Sequence, residues 1–382
     1  MPLTRRHFLS ASAVLGLAAC AAPAAPAAPG APAATTAPAA PGPLVDASAL
    51  IDWIAANPDR ASVLVDDGRG TTLSHLADRP RPIASAVKVV HLVAYAQAVA
   101  DGRLDPAGPV PVADWERWYV PGADAGVHPA ALEALGATSE STVTWDDIAA
   151  AMIDLSDNAA ADLLLDTLGE DALVAAAAAG GWGAFDVPHI AGEDLYVLAP
   201  DPAADRRASA RALGRAWADG EPAARELGAQ YAAGLPGGGG GSGRAAPPTE
   251  DPAWAAGVDL WDGAWAATAE DLAAVHRAAA TGAFDPPVTA VVQRHLERLV
   301  ADRLPEGVLG LGQKGGSLPG VLSWAGGLRR ADGGVGVAVI SLSRLPQQAF
   351  TELSQSGAPL LLGQQVLLDE AVLARLGEAL PA

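Results

Sequence analysis

The chain has 382 residues, of which half are hydrophobic, with a single cysteine and a formal net charge of −20 at pH 7. So acidic a chain argues against nucleic-acid binding, which needs a basic face, and against electrostatic adhesion to anionic lipid. One cysteine excludes an intramolecular disulfide and a thiolate metal site in the mature domain. We expect no metal and no cofactor, because the histidines of the mature domain are scattered along the sequence without the spacing of metal ligands.

The N-terminus predicts an export signal over residues 1–20. Thr4-Arg5-Arg6-His7-Phe8-Leu9 has a twin-arginine pattern, and the apolar run after it is too short for a stable membrane span. Leu17-Ala18-Ala19-Cys20 resembles a bacterial lipobox. We therefore predict that Cys20 is lipidated and anchors the protein on the outer face of the cytoplasmic membrane. The alternative is an ordinary secretory signal in which Cys20 is incidental.

Two further segments are defined by composition. Residues 21–43 are rich in Ala and Pro and carry no charge, which predicts an extended tether. Residues 44–382 are then long enough for one large domain. Within it, a Gly-rich insertion at about 234–250 is not followed by the Lys-Ser/Thr of a phosphate-binding loop. This insertion is therefore predicted to be a flexible surface loop.

The predicted elements of the domain follow in chain order. A helix over 48–57 precedes a hairpin formed by 61–66 and 71–76, and an apolar helix covers 86–100. Capping boxes at Thr144 and Thr268 begin two further helices, and another helix covers 159–168. Strands return at 308–314, 321–328 and 336–342, before a last helix at about 363–376. This order predicts an α/β fold of the α+β type, in which an antiparallel five-stranded sheet is flanked by N- and C-terminal helices. An all-helical lobe, over about 86–300, is inserted into it.

Lysine occurs only at positions 88 and 314, whereas the other 22 basic residues are arginine. Arginine carries charge equally well but is not deprotonated in a protein, while a buried lysine can become a neutral base. Both lysines are therefore candidates for proton transfer.

Each lysine belongs to a short motif, and a third motif lies between them. By itself, each motif also has a structural explanation, as a helix cap, as a cap and turn, or as a glycine turn at a strand end. Taken in this order, on a helix start, an inter-helix loop and an edge strand, they predict a site with a nucleophilic serine. The motifs are Ser85-Ala86-Val87-Lys88, Ser156-Asp157-Asn158 and Lys314-Gly315-Gly316-Ser317.

The set resembles the class A β-lactamase and penicillin-binding-protein superfamily, whose motifs are Ser-x-x-Lys, Ser-Asp-Asn and Lys-Thr-Gly. The similarity covers about 44–382 apart from the Gly-rich insertion. It implies that Ser85 is the acylated nucleophile and Lys88 its proton acceptor. Ser156 would relay a proton to the leaving group, with Lys314 beside it. The substrate would be bound by Asn158 and by the strand at Gly316 and Ser317, and the N–H groups of Ser85 and Ser317 would form an oxyanion hole.

Two departures from the superfamily pattern bear on the reaction. Gly315 replaces the motif's threonine and so removes a hydroxyl that contacts the substrate carboxylate. Glu193 lies at about the family's interval for the deacylating glutamate, but the Leu-Asn that should follow it is absent. Glu193 is therefore either the deacylation base or an ordinary loop carboxylate. Arg329 and Arg330 are candidates for binding a substrate carboxylate.

The sequence thus predicts an exported, lipid-anchored serine hydrolase of the β-lactamase or DD-peptidase type. It would act through an acyl-enzyme on a β-lactam, a cell-wall peptide or an ester, with weak β-lactamase activity. We expect a monomer that contacts the membrane only through its lipid. The alternative is a catalytically degenerate lipoprotein that binds cell-wall peptide or a partner protein.

Overall fold

The computed structural model describes residues 43–233 and 252–381. The described strands are β1 (Ala61–Asp66), β2 (Thr72–His75), β3 (Arg81–Pro82), β4 (Pro109–Pro111), β5 (Thr142–Thr144), β6 (Ala266–Ala267), β7 (Val308–Leu318), β8 (Val321–Arg330) and β9 (Val335–Leu342). Five of these strands form an antiparallel sheet in the order β2-β1-β9-β8-β7, which confirms the predicted five-stranded sheet and leaves β7 at an edge. Two short ladders, β3 with β6 and β4 with β5, lie outside it.

Helices make up most of the rest of the described chain. Both predicted capping boxes are present, at Thr144 with Asp147 and at Thr268 with Asp271. None of the described helices is both long and apolar enough to cross a membrane. The helices are α1 (Ala47–Ala56), α2 (Lys88–Ala100), α3 (Val112–Glu116), α4 (Val127–Leu135), α5 (Trp145–Ala150), α6 (Asn158–Leu168), α7 (Glu170–Ala179), α8 (Ile190–Tyr196), α9 (Arg206–Ala218), α10 (Pro222–Ala232), α11 (Pro252–Asp262), α12 (Ala269–Thr281), α13 (Pro286–Glu297), α14 (Gln347–Ser356), α15 (Ala358–Leu368) and α16 (Glu370–Ala379).

The two faces of the sheet bury different sets of apolar side chains. Val63, Val65 and Ile340 pack with α1 and with the C-terminal helices α14 to α16. Val337 and Val339 face the other way and pack with the helical lobe, whose centre is the apolar helix α2. Because successive side chains of a strand point to opposite faces, the apolar run of β9 can serve both cores. The predicted layering of terminal helices, sheet and helical lobe is thus confirmed. The prediction that the lobe is all-helical is wrong, because β4 and β5 form a short antiparallel ladder within it and β6 pairs with β3.

Two predicted boundaries are wrong. The single last helix over 363–376 is two helices, α15 and α16, because Asp369 interrupts the helix and caps α16 through the N–H of Ala371. Strand β7 continues beyond its predicted end at Lys314 to Leu318. Glycine has a low β propensity, but pairing with β8, from Lys314 opposite Ala325 to Leu318 opposite Val321, holds this segment extended.

Helices α8 to α11 lie between α7 and β6, where the sequence patterns did not define individual elements. The predicted signal, the tether apart from Pro43 and the Gly-rich insertion at 234–250 lie outside the described residues, so their assignments remain predictions.

Candidate active site

Ser85 lies in a tight turn before α2. The turn is a 3-10 helix, Ala84–Val87, and it leads directly into Lys88 at the first position of α2. Ala84 has a φ of 50°, in the left-handed region that residues with a Cβ rarely adopt. Ser85 is only half-buried, although residues on both sides of it are buried. The turn therefore leaves Ser85 partly exposed between buried neighbours.

Lys88 is fully buried and points at the Ser-Asp-Asn motif. Its Nζ donates hydrogen bonds to the carbonyl oxygen of Ser156 at 2.5 Å and to Oδ1 of Asn158 at 2.6 Å, and Ser156 Oγ lies 3.5 Å away. Burial lowers the pKa of Lys88 from 10.5 to about 8, and nearby carboxylates oppose the shift. A useful fraction of this lysine is therefore neutral near neutral pH, as a general base requires.

The Ser-Asp-Asn segment is held in an uncommon backbone conformation. A π-helical turn, Ala151–Leu155, ends at Ser156, whose φ of 71° is also left-handed. Asp157 is fully buried and caps α6 through the N–H of Ala160 at 2.7 Å. Its carboxylate also accepts from Trp115 Nε1 at 3.1 Å and lies 2.9 Å from His128 Nδ1. Asp157 therefore fixes the loop while its two neighbours face Lys88.

Strand β7 brings the third motif to the same place. Lys314 Nζ donates to Ser156 Oγ at 2.9 Å and to the Gly315 carbonyl at 3.0 Å. Burial, followed by the charge of Lys88, lowers the pKa of Lys314 well below its usual value. A Cβ at Gly316 would lie 2.6 Å from the backbone nitrogen of Ser85, so only glycine allows β7 to approach the serine turn this closely. Ser317 follows on β7 and is exposed.

The predicted residues of the three motifs thus converge. Hydrogen bonds connect Lys314, Ser156, Lys88 and Asn158 in one chain beside the Ser85 turn. Two lysines whose pKa values are lowered by burial flank the Ser156 hydroxyl, an arrangement suited to moving protons. Within the described residues, the Ser85 hydroxyl makes no hydrogen bond to either lysine.

Glu193 lies in α8 and is buried, but its carboxylate is hydrogen-bonded to an arginine and not to the residues of the three motifs. Its Oε2 accepts from Nε and Nη2 of Arg206, at 2.9 and 2.7 Å, and Nη1 of the same arginine donates to the Leu260 carbonyl at 2.6 Å. Burial raises the pKa of Glu193, and Arg206 partly opposes this. The carboxylate is thus tied to α9 and α11, and its hydrogen bonds within the described residues do not reach Lys88.

The adjacent Asp194 is a buried carboxyl group that the sequence analysis missed. It is 3% exposed, and its Oδ2 has no hydrogen-bond partner among the described residues. Burial, followed by the charges of Asp162 and Asp124, raises its pKa well above the usual value, while Lys88 opposes the shift. Neighbours on a helix point about 100° apart, so Glu193 and Asp194 face different surroundings. No sequence signal distinguishes which of the two carboxyl groups has its pKa influenced by the charge of Lys88.

Neither arginine proposed for a substrate carboxylate lies at the site. Arg329 donates to both carboxylate oxygens of Glu297, at 2.8 and 2.7 Å. Arg330 is buried and donates to the Leu367 carbonyl at 2.6 Å. Both lie at the far end of β8, opposite Gly310 and Val308, whereas Ala325 is the residue opposite Lys314.

The sheet with its helical lobe has the arrangement of the β-lactamase-like fold, and the three motifs meet where the sheet and the lobe adjoin. Residues 47–219 match the model of a family described as the β-lactamase enzyme family. The fold is similar to the crystal structure of a β-lactamase from Sphaerobacter thermophilus DSM 20745, with a TM-score of 0.50 and 18% identity over 85% of this chain and 96% of that one.

Two other solved structures are more distant in shape. A β-lactamase from Desulfarculus baarsii DSM 2075 is 22% identical, with a TM-score of 0.46 over 82% of this chain and 97% of that one. The protein PBP-A is 16% identical, with a TM-score of 0.46 over 85% of this chain and 97% of that one. No curated protein sequence matches the chain. The family match agrees with the superfamily predicted from the three motifs, and the first structure confirms the predicted fold.

Proposed function

We propose that this protein forms an acyl-enzyme at Ser85. The Ser85 oxygen attacks the acyl carbon, and its proton passes to the neutral amine of Lys88. The leaving nitrogen or oxygen then takes a proton from the Ser156 hydroxyl, which Lys314 and Lys88 resupply. The observation that carries the proposal is the hydrogen-bonded chain from Lys314 through Ser156 to Lys88, whose donors lie 2.9 and 3.5 Å from the Ser156 oxygen.

Developing negative charge would be stabilised at the backbone N–H groups of Ser85 and Ser317. The close approach of Gly316 to the Ser85 nitrogen supports this role, because it sets β7 directly against the serine turn. Losing one oxyanion donor typically costs about 10²–10³ in rate. The Asn158 amide accepts from Lys88 through its oxygen. Its nitrogen makes no hydrogen bond to the described residues, and we propose that it binds the acyl side chain.

Deacylation is proposed to be slow. The Glu193 carboxylate is occupied by Arg206, and burial raises the pKa of Asp194 well above its usual value, which disfavours the charged form that accepts a proton. Neither group is then a good base for an attacking water. Since a positioned general base is worth about 10²–10⁴ in rate, the acyl-enzyme should outlive that of an efficient β-lactamase by a similar factor.

The proposed substrates are β-lactams, peptidoglycan stem peptides or activated esters, all of which transfer an acyl group to serine. The proposed location is the outer face of the cytoplasmic membrane, with a lipid on Cys20. The support is the twin-arginine pattern and the lipobox-like Leu17-Ala18-Ala19-Cys20.

The test is intact-protein mass spectrometry after exposure to benzylpenicillin, a cephalosporin and a fluorophosphonate. The wild type should gain the mass of one adduct, and Ser85→Ala should gain none. Ser74→Ala, an exposed serine on β2 at the opposite edge of the sheet, is the matched control and should react as the wild type does. If a folded wild type reacts with no probe, the degenerate peptide-binding alternative becomes the better account.

A further inference from the structure

Ala84 immediately precedes the proposed nucleophile and has an unfavourable backbone conformation. Its φ of 50° is left-handed, a conformation that is unfavourable for a residue with a Cβ. Such a conformation persists only where the surroundings hold it. Here it turns the chain so that the backbone nitrogens of Ser85 and Ala86 face Gly316 on β7.

Trp265 contacts the chain on both sides of this strained residue. Its indole Nε1 donates to the Ala84 carbonyl at 2.9 Å, and its own carbonyl accepts from the N–H of Ile83 at 3.5 Å. The indole is 4% exposed, so the Ala84 carbonyl has little access to water as a substitute donor. Ser323 Oγ donates to the Ile83 carbonyl at 2.5 Å and completes the set of bonds.

Trp265 also connects two parts of the chain that are distant in sequence. Trp265 immediately precedes β6, whose ladder with β3 brings Ala266 opposite Pro82, just before the serine turn. Helices α8 to α11 end immediately before it, at Asp262. The bond from Trp265 thus joins the end of this helical segment to the residue before Ser85.

We propose that Trp265 is a positioning residue, whose indole N–H holds Ala84 in its left-handed conformation and so sets the place of Ser85 against Lys88 and β7. The proposal rests on the proposed acylation of Ser85. Trp265 does not itself touch the reacting atoms. Its effect should therefore fall on the rate of acylation and leave the binding of the intact substrate almost unchanged.

The test compares Trp265→Phe with Trp254→Phe by stopped-flow acylation with a chromogenic cephalosporin. Trp254 is a matched control, since it is also buried and its Nε1 donates to a backbone carbonyl, that of Leu345, at 3.1 Å. Trp265→Phe keeps most of the ring but loses the donor. We expect its acylation rate constant to fall about 10–100-fold, with the dissociation constant of the non-covalent complex changed less than about threefold. Trp254→Phe should acylate at the wild-type rate.

Ala84→Gly separates positioning from packing. Glycine adopts a positive φ without the cost that alanine bears, so a glycine at position 84 should need the indole bond less. In the Trp265→Phe background, Ala84→Gly should restore acylation to within about threefold of Ala84→Gly alone. If Trp265→Phe folds poorly, this comparison between the double variant and Ala84→Gly still tests the proposal.

The outcomes are distinct. If Trp265→Phe acylates as fast as Trp254→Phe, or if Ala84→Gly restores nothing, the positioning role is refuted while acylation of Ser85 stands. If the wild type is not acylated at all, the proposed function falls and the positioning role falls with it.

Discussion

The lowered pKa of Lys88 predicts that arginine cannot replace it. At pH 7 a group with a pKa of about 8 is neutral in about one molecule in ten. An arginine with a pKa above about 12 is neutral in fewer than one in about 10⁵. Since a general base contributes about 10²–10⁴ in rate, we expect Lys88→Arg to lower the acylation rate constant by at least about 10²-fold.

The same pKa predicts the pH dependence of acylation in the wild type. Only the deprotonated amine can accept the Ser85 proton, so the rate should rise about tenfold per pH unit below pH 8 and level off above it. Stopped-flow acylation with a chromogenic cephalosporin between pH 5 and 10 measures this profile.

The Lys88 variants must be checked for correct folding, because Lys88 is fully buried and its replacement can disturb the packing around it. Lys88→Met has a similar length and no charge, so it separates the loss of the base from the bulk of a guanidinium. Thermal melts establish that both variants fold. A rate in Lys88→Arg within about tenfold of the wild type, or a flat profile between pH 6 and 9, would refute the assignment of Lys88 as the base.

Three further predictions concern β7, the acyl-enzyme and the anchor. Gly316→Ala would place a Cβ 2.6 Å from the Ser85 nitrogen and should cost about 1–3 kcal/mol of stability and most of the acylation rate. The control is Gly315→Ala, which should be tolerated because its Cβ would lie 3.4 Å from its nearest neighbour. Equal melting temperatures and acylation rates for the two variants would contradict the prediction that only Gly316 must be glycine. Timed mass spectra should show a penicillin adduct that persists in the wild type, and Glu193→Gln should change its lifetime less than about threefold; a much longer lifetime would identify Glu193 as the base. Cys20→Ala should move the protein from the membrane to the soluble fraction, and its retention in membranes would remove the lipoprotein assignment.

The sequence determined the residues of the site and the order of the layers. Motif spacing was sufficient to identify Ser85, Lys88 and the Ser-Asp-Asn segment as candidate site residues. The reason is that Ser-x-x-Lys at a helix start and a cap between two helices are local features of the sequence. Capping boxes at Thr144 and Thr268 likewise specified helix starts from a few adjacent residues. The alternation of apolar and polar residues, together with short apolar runs, was sufficient to predict the strands of the sheet.

Only the tertiary structure decided what each carboxylate does and how the serine turn is held. Which of Glu193 and Asp194 pairs with Arg206, and which is influenced by the charge of Lys88, depends on the rotation of α8 against its neighbours, which no local pattern encodes. The left-handed Ala84 and its bond from Trp265 join residues that are remote in sequence. Burial, which lowers the pKa of Lys88 as its proposed role as a base requires, also arises only when distant segments pack together.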